Sequence, residues 1–345
     1  MNCKSCLVSE QGGLTSSGCP LNLSLGLPEF IAKNYRHNNC KKLIKCLDIE
    51  SMTYHDTPGE NSVKALIKLY KRINPEFRKW YNIKKDDLNI LLTNGSIQLH
   101  LLSIMTFYNL AGKPSKFKIY MKAPYFFESK VLIDNLPGVE FTDNVNDADM
   151  EILVSPNNPN NVIQTPSISP GKFLLIDGAY NNPNFVNKPF WYSDFSNNYR
   201  TVIISTASKI FGMAAERVGW AFITDQEIYN GLLQNLFSTT TGYNGYSICL
   251  VRDAMFNYNK DNIIYQTLKC RHKQLIKLLE VYQIKVLSPV GAYAWLAAEF
   301  NLTEFFLSKG IIVNPGSNFG TNDMNCRLNI MASECSWQKF IEILT

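Results

Sequence analysis

The sequence predicts an α/β fold, in which a large domain with a mostly parallel seven-stranded sheet covered by helices is followed by a smaller α+β C-terminal domain. From about residue 88, short apolar runs alternate with helical stretches, and Gly, Pro, Asn or Asp bounds each run. Beyond about residue 245 the pattern changes to one long helical stretch and a few short strands. Runs that are apolar throughout are typical of strands buried between two helical layers.

The seven candidate strands are the continuous apolar runs. They are LNILLT (88–93), FKIYMKA (117–123), VEFTD (139–143), EILVSP (151–156), FLLIDGAY (173–180), TVIISTAS (201–208) and VGWAFIT (218–224). In such a sheet the ligand lies beyond the carboxyl ends of the strands. The residues that follow each run are therefore the candidate site.

Three segments are predicted from these patterns. Residues 51–240 form the large domain and residues 241–345 the small one, which contains AYAWLAAEF (292–300), IIVNPGSNFG (311–320) and CRLNIM (326–331). Residues 1–50 are too short to form a domain of their own. We expect them to pack against the small domain and the cleft.

Composition excludes several classes of protein. The chain has 345 residues, 46% of them hydrophobic, and its net charge of +5 comes from 34 basic and 29 acidic residues without a basic run. A nucleic-acid partner is therefore not expected. No apolar stretch approaches the roughly 18 residues that span a bilayer, and the start lacks the apolar core of a signal peptide. These features predict a cytoplasmic protein without a membrane segment.

The cysteines and histidines do not predict a metal site. Cys3, Cys6 and Cys19 form a CxxC pair plus one, but no fourth ligand lies nearby, and the four histidines are widely spaced. Most of the nine cysteines, such as Cys46 and Cys326, lie in apolar segments. They are expected to be reduced, buried thiols.

Polar and small residues follow nearly every predicted strand, in the segments TNGSIQ, APYFF, SPNNP, DGAY, STASK and ERVGW. One ligand accounts for all of them. Pyridoxal 5'-phosphate (PLP) has a phosphate, a pyridine nitrogen, a phenolic oxygen, an aldehyde carbon and a flat ring, and each segment offers a matching group. The sequence therefore predicts PLP as the cofactor.

A phosphate site is predicted where the first strand meets a helix. The backbone N–H groups of Gly95, Ser96 and Ile97 would lie at the positive end of that helix, which favours anions. By itself the NGS turn is more often only a helix cap. The side chains expected to complete the site are those of Thr206, Ser208 and Arg217.

The cofactor ring has its own candidate partners. Asp177 ends the apolar run FLLI, and its carboxylate would pair with the pyridinium nitrogen. Asn158 and Tyr180 would donate to the phenolic oxygen, and Phe126 or Tyr125 would lie flat on the ring. An Asp or a Tyr standing alone would be read as a cap or a core residue. Lys209 follows TVIISTAS, between apolar segments, and would hold the cofactor as a Schiff base.

The block STASKIFGMAAERVGWAFI resembles the S-x-S-K-x-x-G-x-x-G-x-R-x-G signature of the fold-type-I PLP enzymes, aminotransferase class I/II, with Lys209 and Arg217 eight residues apart. DGAY, SPNNP, NPGSNFG and CRLNI are similar to further motifs of that family, in the same order. The resemblance runs from about residue 22 to 331. Within the class, the chain looks most like the subgroup of alliinase and the plant tryptophan aminotransferases.

The chain also departs from the family pattern. Glu216 replaces a small residue before the arginine, and Asn161 stands where a glycine is usual. Met213 and Ala214 replace the His-Ala that follows the glycine in the subgroup.

The resemblance implies roles for three further residues. Arg327 would bind the substrate α-carboxylate, and Gly26 would lie close to it. Tyr54 would reach the phosphate of the neighbouring subunit, which implies a homodimer with shared active sites.

The family implies an aminotransferase that moves an amino group between an L-amino acid and a 2-oxo acid. Aromatic residues near the expected cleft favour an aromatic or apolar amino acid. A carbon–sulfur β-lyase of the alliinase type, or another PLP lyase or decarboxylase, is the alternative, because these enzymes share the same residues. A binding protein that has lost catalysis is a more remote alternative.

Overall fold

The computed structural model describes residues 8–9, 13–14, 20–24, 59–258 and 263–345. Gly26 and Tyr54 lie outside the described residues, as do Cys3, Cys6 and Cys19. The predictions made for them therefore stay predictions.

A seven-stranded sheet forms the centre of the molecule, and the seven predicted strands are confirmed. Its strands, in chain order, are β4 (Asn89–Thr93), β5 (Phe117–Tyr120), β6 (Val139–Thr142), β7 (Met150–Val154), β8 (Phe173–Asp177), β9 (Arg200–Thr206) and β10 (Gly219–Ile223). They are arranged in the order β4-β10-β9-β8-β7-β5-β6. β10 is antiparallel to both of its neighbours, and the other pairs are parallel.

Helices cover both faces of this sheet. The helices of the first two thirds of the chain are α1 (Glu60–Ile73), α2 (Pro75–Lys84), α3 (Ser96–Leu110), α4 (Phe127–Asp134), α5 (Ser193–Ser196), α6 (Ala207–Ile210), α7 (Gln226–Thr240) and α8 (Gly245–Phe256). A short 3-10 turn spans Val145–Asp147. On neighbouring strands, alternate residues enter two different hydrophobic clusters, as the two faces of a sheet require.

The boundary between α1 and α2 shows why local sequence sets these elements. Asn74 ends α1, and its side-chain oxygen accepts a hydrogen bond of 3.0 Å from Phe77 N in the first turn of α2. Pro75 occupies the first helical position, where a missing N–H costs nothing. The buried face of α1 includes Leu66 and Leu69, which pack in the cluster formed on one face of the sheet.

A second, four-stranded sheet lies in the C-terminal part. Its strands are β11 (Lys285–Val286), β12 (Tyr293–Ala297), β14 (Asn314–Pro315) and β15 (Asn325–Asn329), in the order β11-β12-β15-β14 and antiparallel. Two further pairs are β1 (Val8–Ser9) with β2 (Gly13–Leu14), and β3 (Leu21–Asn22) with β13 (Ile311–Ile312). The remaining helices are α9 (Ile263–Glu280), α10 (Leu302–Ser308) and α11 (Glu334–Leu344), with a 3-10 turn at Gly316–Phe319.

The second sheet has its own hydrophobic core, which includes Leu275, Trp337 and Phe340. Leu23 also packs there, and its carbonyl accepts from Asn329 N at 3.0 Å. Helix α8 instead shares the cluster of α1 on the large sheet. The domain limits at residues 50 and 240 stay predictions.

The described cysteines correct one expectation. Cys249 and Cys326 are buried cysteines in the thiol form, and Cys270 is a thiol at the surface. Cys335 is disulfide-bonded, so the prediction of reduced thiols is wrong for this residue. Cys335 lies in the first turn of α11 and is partly exposed. A cysteine at such a position can be a thiol or form a disulfide, and the sequence pattern does not distinguish the two.

Within the described ranges, no helix is long and apolar enough to cross a membrane. In the same ranges, no group of three or more His, Cys, Asp or Glu side chains could hold a metal ion.

Asn161 connects the two sheets. Its backbone has a φ of +54°, a left-handed conformation that glycine adopts freely and that asparagine tolerates better than most residues. This explains how an asparagine fits where the family has glycine. Its side-chain nitrogen donates to the carbonyls of Pro289 and Tyr293, at 3.1 Å and 2.6 Å.

We expect Asn161→Ala to lower the free energy of unfolding by about 2–4 kcal/mol, because it loses both hydrogen bonds and strains the left-handed backbone. Asn161→Gly should lower the free energy of unfolding by less, since only the hydrogen bonds are lost. Urea unfolding followed by tryptophan fluorescence measures both. A change for Asn161→Ala within about 0.5 kcal/mol of zero would contradict this role.

Candidate functional site

The candidate site lies at one edge of the seven-stranded sheet. β4, β8 and β9 end there at Thr93, Asp177 and Thr206, and the antiparallel β10 begins there at Gly219. Gly219 pairs with both Thr93 and Thr206, which brings the segments before and after these residues together. The strand directions therefore gather the segments that the sequence singled out.

Asp177 is a buried carboxylate whose two oxygens are both hydrogen-bonded. Oδ1 accepts from Ala179 N at 2.9 Å, and Oδ2 lies 3.0 Å from Nε2 of His100. The other ring nitrogen of His100 lies 2.9 Å from the hydroxyl of Ser129. The tautomer in which Nε2 donates to the carboxylate lets Nδ1 accept from that hydroxyl, so one tautomer of His100 satisfies both hydrogen bonds.

Sequence reasoning missed His100 and Ser129. His100 lies in α3, four residues after Ser96, and is fully buried. Positions four apart share one face of a helix, so a histidine one turn inside the helix that begins at the predicted phosphate site was a usable signal. Nothing in the spacing of Ser129 indicated its contact with this histidine.

The predicted phosphate ligands come together around the start of α3. Gly95 is the N-cap residue of α3 and has a φ of +94°, which glycine adopts without strain. A Cβ on Gly95 would lie 2.4 Å from Nη2 of Arg217, so the guanidinium packs directly over this glycine. Ser96 and Ile97 follow as the first helical residues, where backbone N–H groups lack partners within the helix.

Lys209 is held in the short helix α6. The hydroxyl of Thr206 caps this helix by accepting from Ser208 N at 3.2 Å, and it also lies 2.9 Å from the Val218 carbonyl oxygen. Ser208 Oγ lies 3.0 Å from the same hydroxyl. Nζ of Lys209 lies over the ring of Tyr180, 5.6 Å from its centre.

Tyr180 belongs to a bonded group that includes a residue the sequence did not predict. Its hydroxyl lies 2.7 Å from the hydroxyl of Tyr293, on β12, and accepts from Nδ2 of Asn158 at 3.4 Å. Burial raises the pKa of Tyr180, and the neighbouring Tyr293 adds to the shift. Tyr180 is therefore a neutral hydroxyl that can donate a hydrogen bond.

Arg327, on β15, is a buried cation. Its Nη1 donates to Oδ1 of Asn158 at 2.8 Å and its Nη2 to the Ser24 carbonyl at 2.8 Å. The guanidinium lies 4.3 Å from the ring centre of Tyr293 and 5.1 Å from that of Phe319. Its Nε is buried and has no hydrogen-bond partner among the described residues. A buried donor without a partner is costly, so an anionic ligand would complete this site.

The two aromatic candidates for the ring face lie differently. The Phe126 ring is 5.9 Å from the imidazole of His100, which places Phe126 beside the group that contacts Asp177. Tyr125 packs against Gly320 and lies 5.5 Å from the ring of Phe141. Of the two, Phe126 is the better placed to cover a ligand at Asp177.

Glu128, which no sequence motif indicated, also lies at this site. It is in the first turn of α4, and its Oε2 is buried without a hydrogen-bond partner in the described part of the chain. Burial raises the pKa of this carboxyl, while its own backbone N–H and the charges of Arg327, Lys209 and His100 act to lower it. Its electrostatic neighbours thus include two basic residues of the candidate site, Arg327 and Lys209.

Residues 21–251 match a family model described as allinase, and residues 171–342 match the model of aminotransferase class I and II. Tryptophan aminotransferase-related protein 2 of Arabidopsis thaliana is 22% identical over 400 residues, which cover 98% of this chain and 86% of that protein. Alliin lyase 1 of Allium sativum is 24% identical over 253 residues, covering 70% of this chain and 50% of that protein. The chain thus spans about half the length of the alliin lyases it matches.

Solved structures show the same fold. An aminotransferase from Staphylococcus aureus superposes with a TM-score of 0.74 at 16% identity, covering 100% of this chain and 98% of the other. An aromatic aminotransferase from Pyrococcus horikoshii OT3 gives a TM-score of 0.74 at 15% identity, covering 96% of this chain and 95% of the other.

We expect Glu128→Gln to stabilise the protein, and the gain to grow with pH. Because burial raises the pKa of Glu128 in the folded protein, the folded chain binds this proton more tightly than the unfolded chain. The cost of ionising Glu128 is absent below the unfolded pKa and is complete once the pH exceeds the folded pKa. The urea midpoints of the wild type and of Glu128→Gln between pH 4 and pH 8 measure this difference in stability. A stability gain that is constant or that shrinks as the pH rises would contradict the desolvation of Glu128.

Proposed function

Because the chain belongs to the alliinase family and has the fold of the fold-type-I aminotransferases, we propose that it is a PLP-dependent aminotransferase. It would move the amino group of an L-amino acid to a 2-oxo acid. The observation that carries this proposal is the grouping of Lys209, Asp177 and Arg327 around the hydrogen-bonded side chains of Asn158 and Tyr180. These residues come from three separate strand ends and from β15 of the second sheet.

The residues fit the cofactor that the family uses. The bare backbone at Gly95 and the guanidinium of Arg217 above it form a cradle that a Cβ would fill, as a bound phosphate needs. Asp177 is a buried carboxyl group held by hydrogen bonds to Ala179 N and His100, so it suits a protonated pyridine nitrogen. Thr206 and Ser208 add hydroxyls beside the cradle, although that of Thr206 is already used as the cap of α6.

When bound, PLP withdraws electrons from the Cα of an amino acid and so makes its bonds easier to break. Asp177 would keep the pyridine nitrogen protonated, with His100 and Ser129 behind it to hold the carboxylate in place. Asn158 and Tyr180 would donate to the phenolic oxygen, and Phe126 would cover the ring.

Arg327 and Lys209 would act on the substrate itself. The unpartnered Nε of Arg327 would bind the α-carboxylate, so that the Cα–H bond is the one presented for cleavage. Lys209 would link covalently to the cofactor at rest. Once an amino acid has displaced it, Nζ would carry the proton from Cα to the cofactor carbon.

Two observations bear on the choice between an aminotransferase and a lyase. The tryptophan aminotransferase-related proteins 2 and 4 of Arabidopsis thaliana match over 98% and 99% of this chain, which favours aminotransfer. The allinase family model covers residues 21–251, which contain Lys209 and Asp177, and keeps a carbon–sulfur β-lyase as the second candidate. Both reactions begin from the same bound amino acid.

The assembly and the location are parts of the same proposal. We propose a homodimer in which Tyr54 reaches the phosphate of the neighbouring subunit and Gly26 lies near the substrate carboxylate. Both residues are outside the described ranges, so these roles rest on the family resemblance alone. A cytoplasmic location likewise rests on the sequence.

Borohydride should fix the cofactor on Lys209. The purified protein should have a visible absorbance band that borohydride abolishes, and peptide mapping should find the label on Lys209. Lys209→Ala removes the only amine proposed for this link, so no label should remain. A label on another lysine of the variant would contradict the assignment.

The reaction type can be read from a single half-reaction. An aminotransferase given an amino acid alone should convert its cofactor to the amine form and release one equivalent of 2-oxo acid without ammonia. A β-lyase given a cysteine derivative should release pyruvate and ammonia continuously and keep the original spectrum. The second pattern, with no amine form for any amino acid, would exclude aminotransfer while leaving the cofactor site intact.

Arg327→Lys should weaken substrate binding and slow turnover of amino acids. It keeps the charge but loses the planar fork and Nε, so the apparent Michaelis constant of the amino acid should rise about 10- to 100-fold and turnover should fall. An unchanged Michaelis constant would show that the α-carboxylate is bound elsewhere.

A further inference from the structure

Glu128 is a charged group of the site for which the proposed reaction has no use. It follows Phe126 by two residues at the start of α4. The adjacent Phe127 contacts the ring of Phe319 edge-on at 5.9 Å, and Phe319 in turn lies under the guanidinium of Arg327. Glu128 is therefore close in the structure to the side of the site where Arg327 would bind the substrate.

A helix-capping role accounts for only one of its oxygens. A glutamate in the first helical turn interacts favourably with the helix dipole, and the backbone N–H of Glu128 lowers the pKa of its own carboxyl. Such glutamates normally point into solvent, as the exposed Glu304 does in the first turn of α10. Oε2 of Glu128 is instead buried and unpartnered within the described residues, which is costly for a carboxylate and a sign of a missing partner.

The cations of the site do not satisfy this oxygen. Arg327 and Lys209 act on Glu128 through their charge, but neither makes a hydrogen bond or an ion pair with it. Arg327 donates to Asn158 and to the Ser24 carbonyl, and its unpartnered Nε would bind the α-carboxylate in the proposed reaction. The partner of Oε2 must therefore come with the ligand.

The aromatic residues around the site give little information on the substrate side chain. Tyr180 contacts Lys209, Tyr293 contacts Arg327, and Tyr125 packs against Gly320. These contacts are within the protein itself. The carboxylate of Glu128 is then the clearest indication of which side chain the site accepts.

We propose that Glu128 is a specificity-determining residue that binds the cationic end of the substrate side chain, an ammonium or guanidinium group. The inference rests on the proposed function, since it assumes an amino acid held by Arg327. A basic amino acid offers one anionic group for Arg327 and a second, cationic group for Glu128. An apolar side chain would leave the buried carboxylate unpaired, and sites built around such a polar group discriminate strongly against ligands that lack the partner.

The test compares arginine with citrulline, which has nearly the same shape but a neutral urea group. The holoenzyme is mixed with each amino acid, and the rate of the half-reaction is followed by the cofactor spectrum. Wild-type protein should prefer arginine, and Glu128→Gln should lower the ratio of arginine to citrulline by about 100-fold. Glu304→Gln removes the same charge from an exposed first helical turn and should leave the ratio unchanged.

Binding is measured separately from turnover by calorimetric titration of arginine and citrulline into the holoprotein. If no amino acid is transaminated but arginine binds more tightly than citrulline only when Glu128 is present, the proposed reaction fails and the role of Glu128 stands. If Glu128→Gln lowers the rates and affinities for arginine and citrulline equally, the role of Glu128 is refuted and the proposed aminotransfer stands. The same conclusion follows if the wild type transaminates apolar amino acids but neither binds nor converts arginine or lysine. Glu128→Asp, which keeps the charge with a shorter reach, should give an intermediate ratio.

Discussion

The hydrogen bond between Arg327 and Asn158 is the contact on which the site depends. Arg327 belongs to the second sheet and Asn158 to the loop after β7 of the large sheet, so this bond of 2.8 Å spans the space between the two. The same loop carries Asn161, whose side chain binds carbonyls at the start of β12. Two side chains of one loop therefore set where the second sheet stands relative to Lys209 and Asp177. Because Asn158 also donates to Tyr180, a shift of the loop would move the residues proposed to bind the cofactor and the substrate together.

The charges of the site suit the anionic groups of the proposed ligands, which are the phosphate of the cofactor and the α-carboxylate of the substrate. Lys209, Arg217 and Arg327 carry basic groups, and the buried Asp177 carboxyl is hydrogen-bonded to Ala179 N and to His100. The two arginines would bind the phosphate and the carboxylate of these ligands. Glu128 is the exception, because it places a second carboxylate where burial disfavours its charge. A carboxylate in that position would favour a ligand that brings a cation, which is the basis of the role proposed for Glu128.

The side chains that hold Asp177 and Tyr180 in place come from distant parts of the sequence. His100 is 77 residues from Asp177, and Tyr293 is 113 residues from Tyr180. Each is fixed by a second contact, His100 by Ser129 and Tyr293 by its place on β12. The groups that would touch the cofactor are therefore held by side chains that themselves have little freedom, which is the arrangement that a precise site requires.

The sequence by itself determined the seven strands of the large sheet, their helical covering and the family. Continuous apolar runs between turn residues identify strands buried on both faces. Strands that share a direction bring their carboxyl ends to one edge of the sheet. The motifs after each run could therefore be assigned to one site without knowing the order of the strands. Only the tertiary structure decided that β10 lies between β4 and β9, that His100 and Tyr293 stand behind Asp177 and Tyr180, and that Glu128 turns inward while Glu304 does not. The physical reason is that periodicity reports which residues are buried, whereas the partner of a buried polar atom depends on how separate elements pack. A glutamate in the first turn of a helix has the same local sequence pattern whether its carboxylate is exposed, as in Glu304, or buried in a site, as in Glu128. Only the packing around Oε2 of Glu128 distinguishes the two residues.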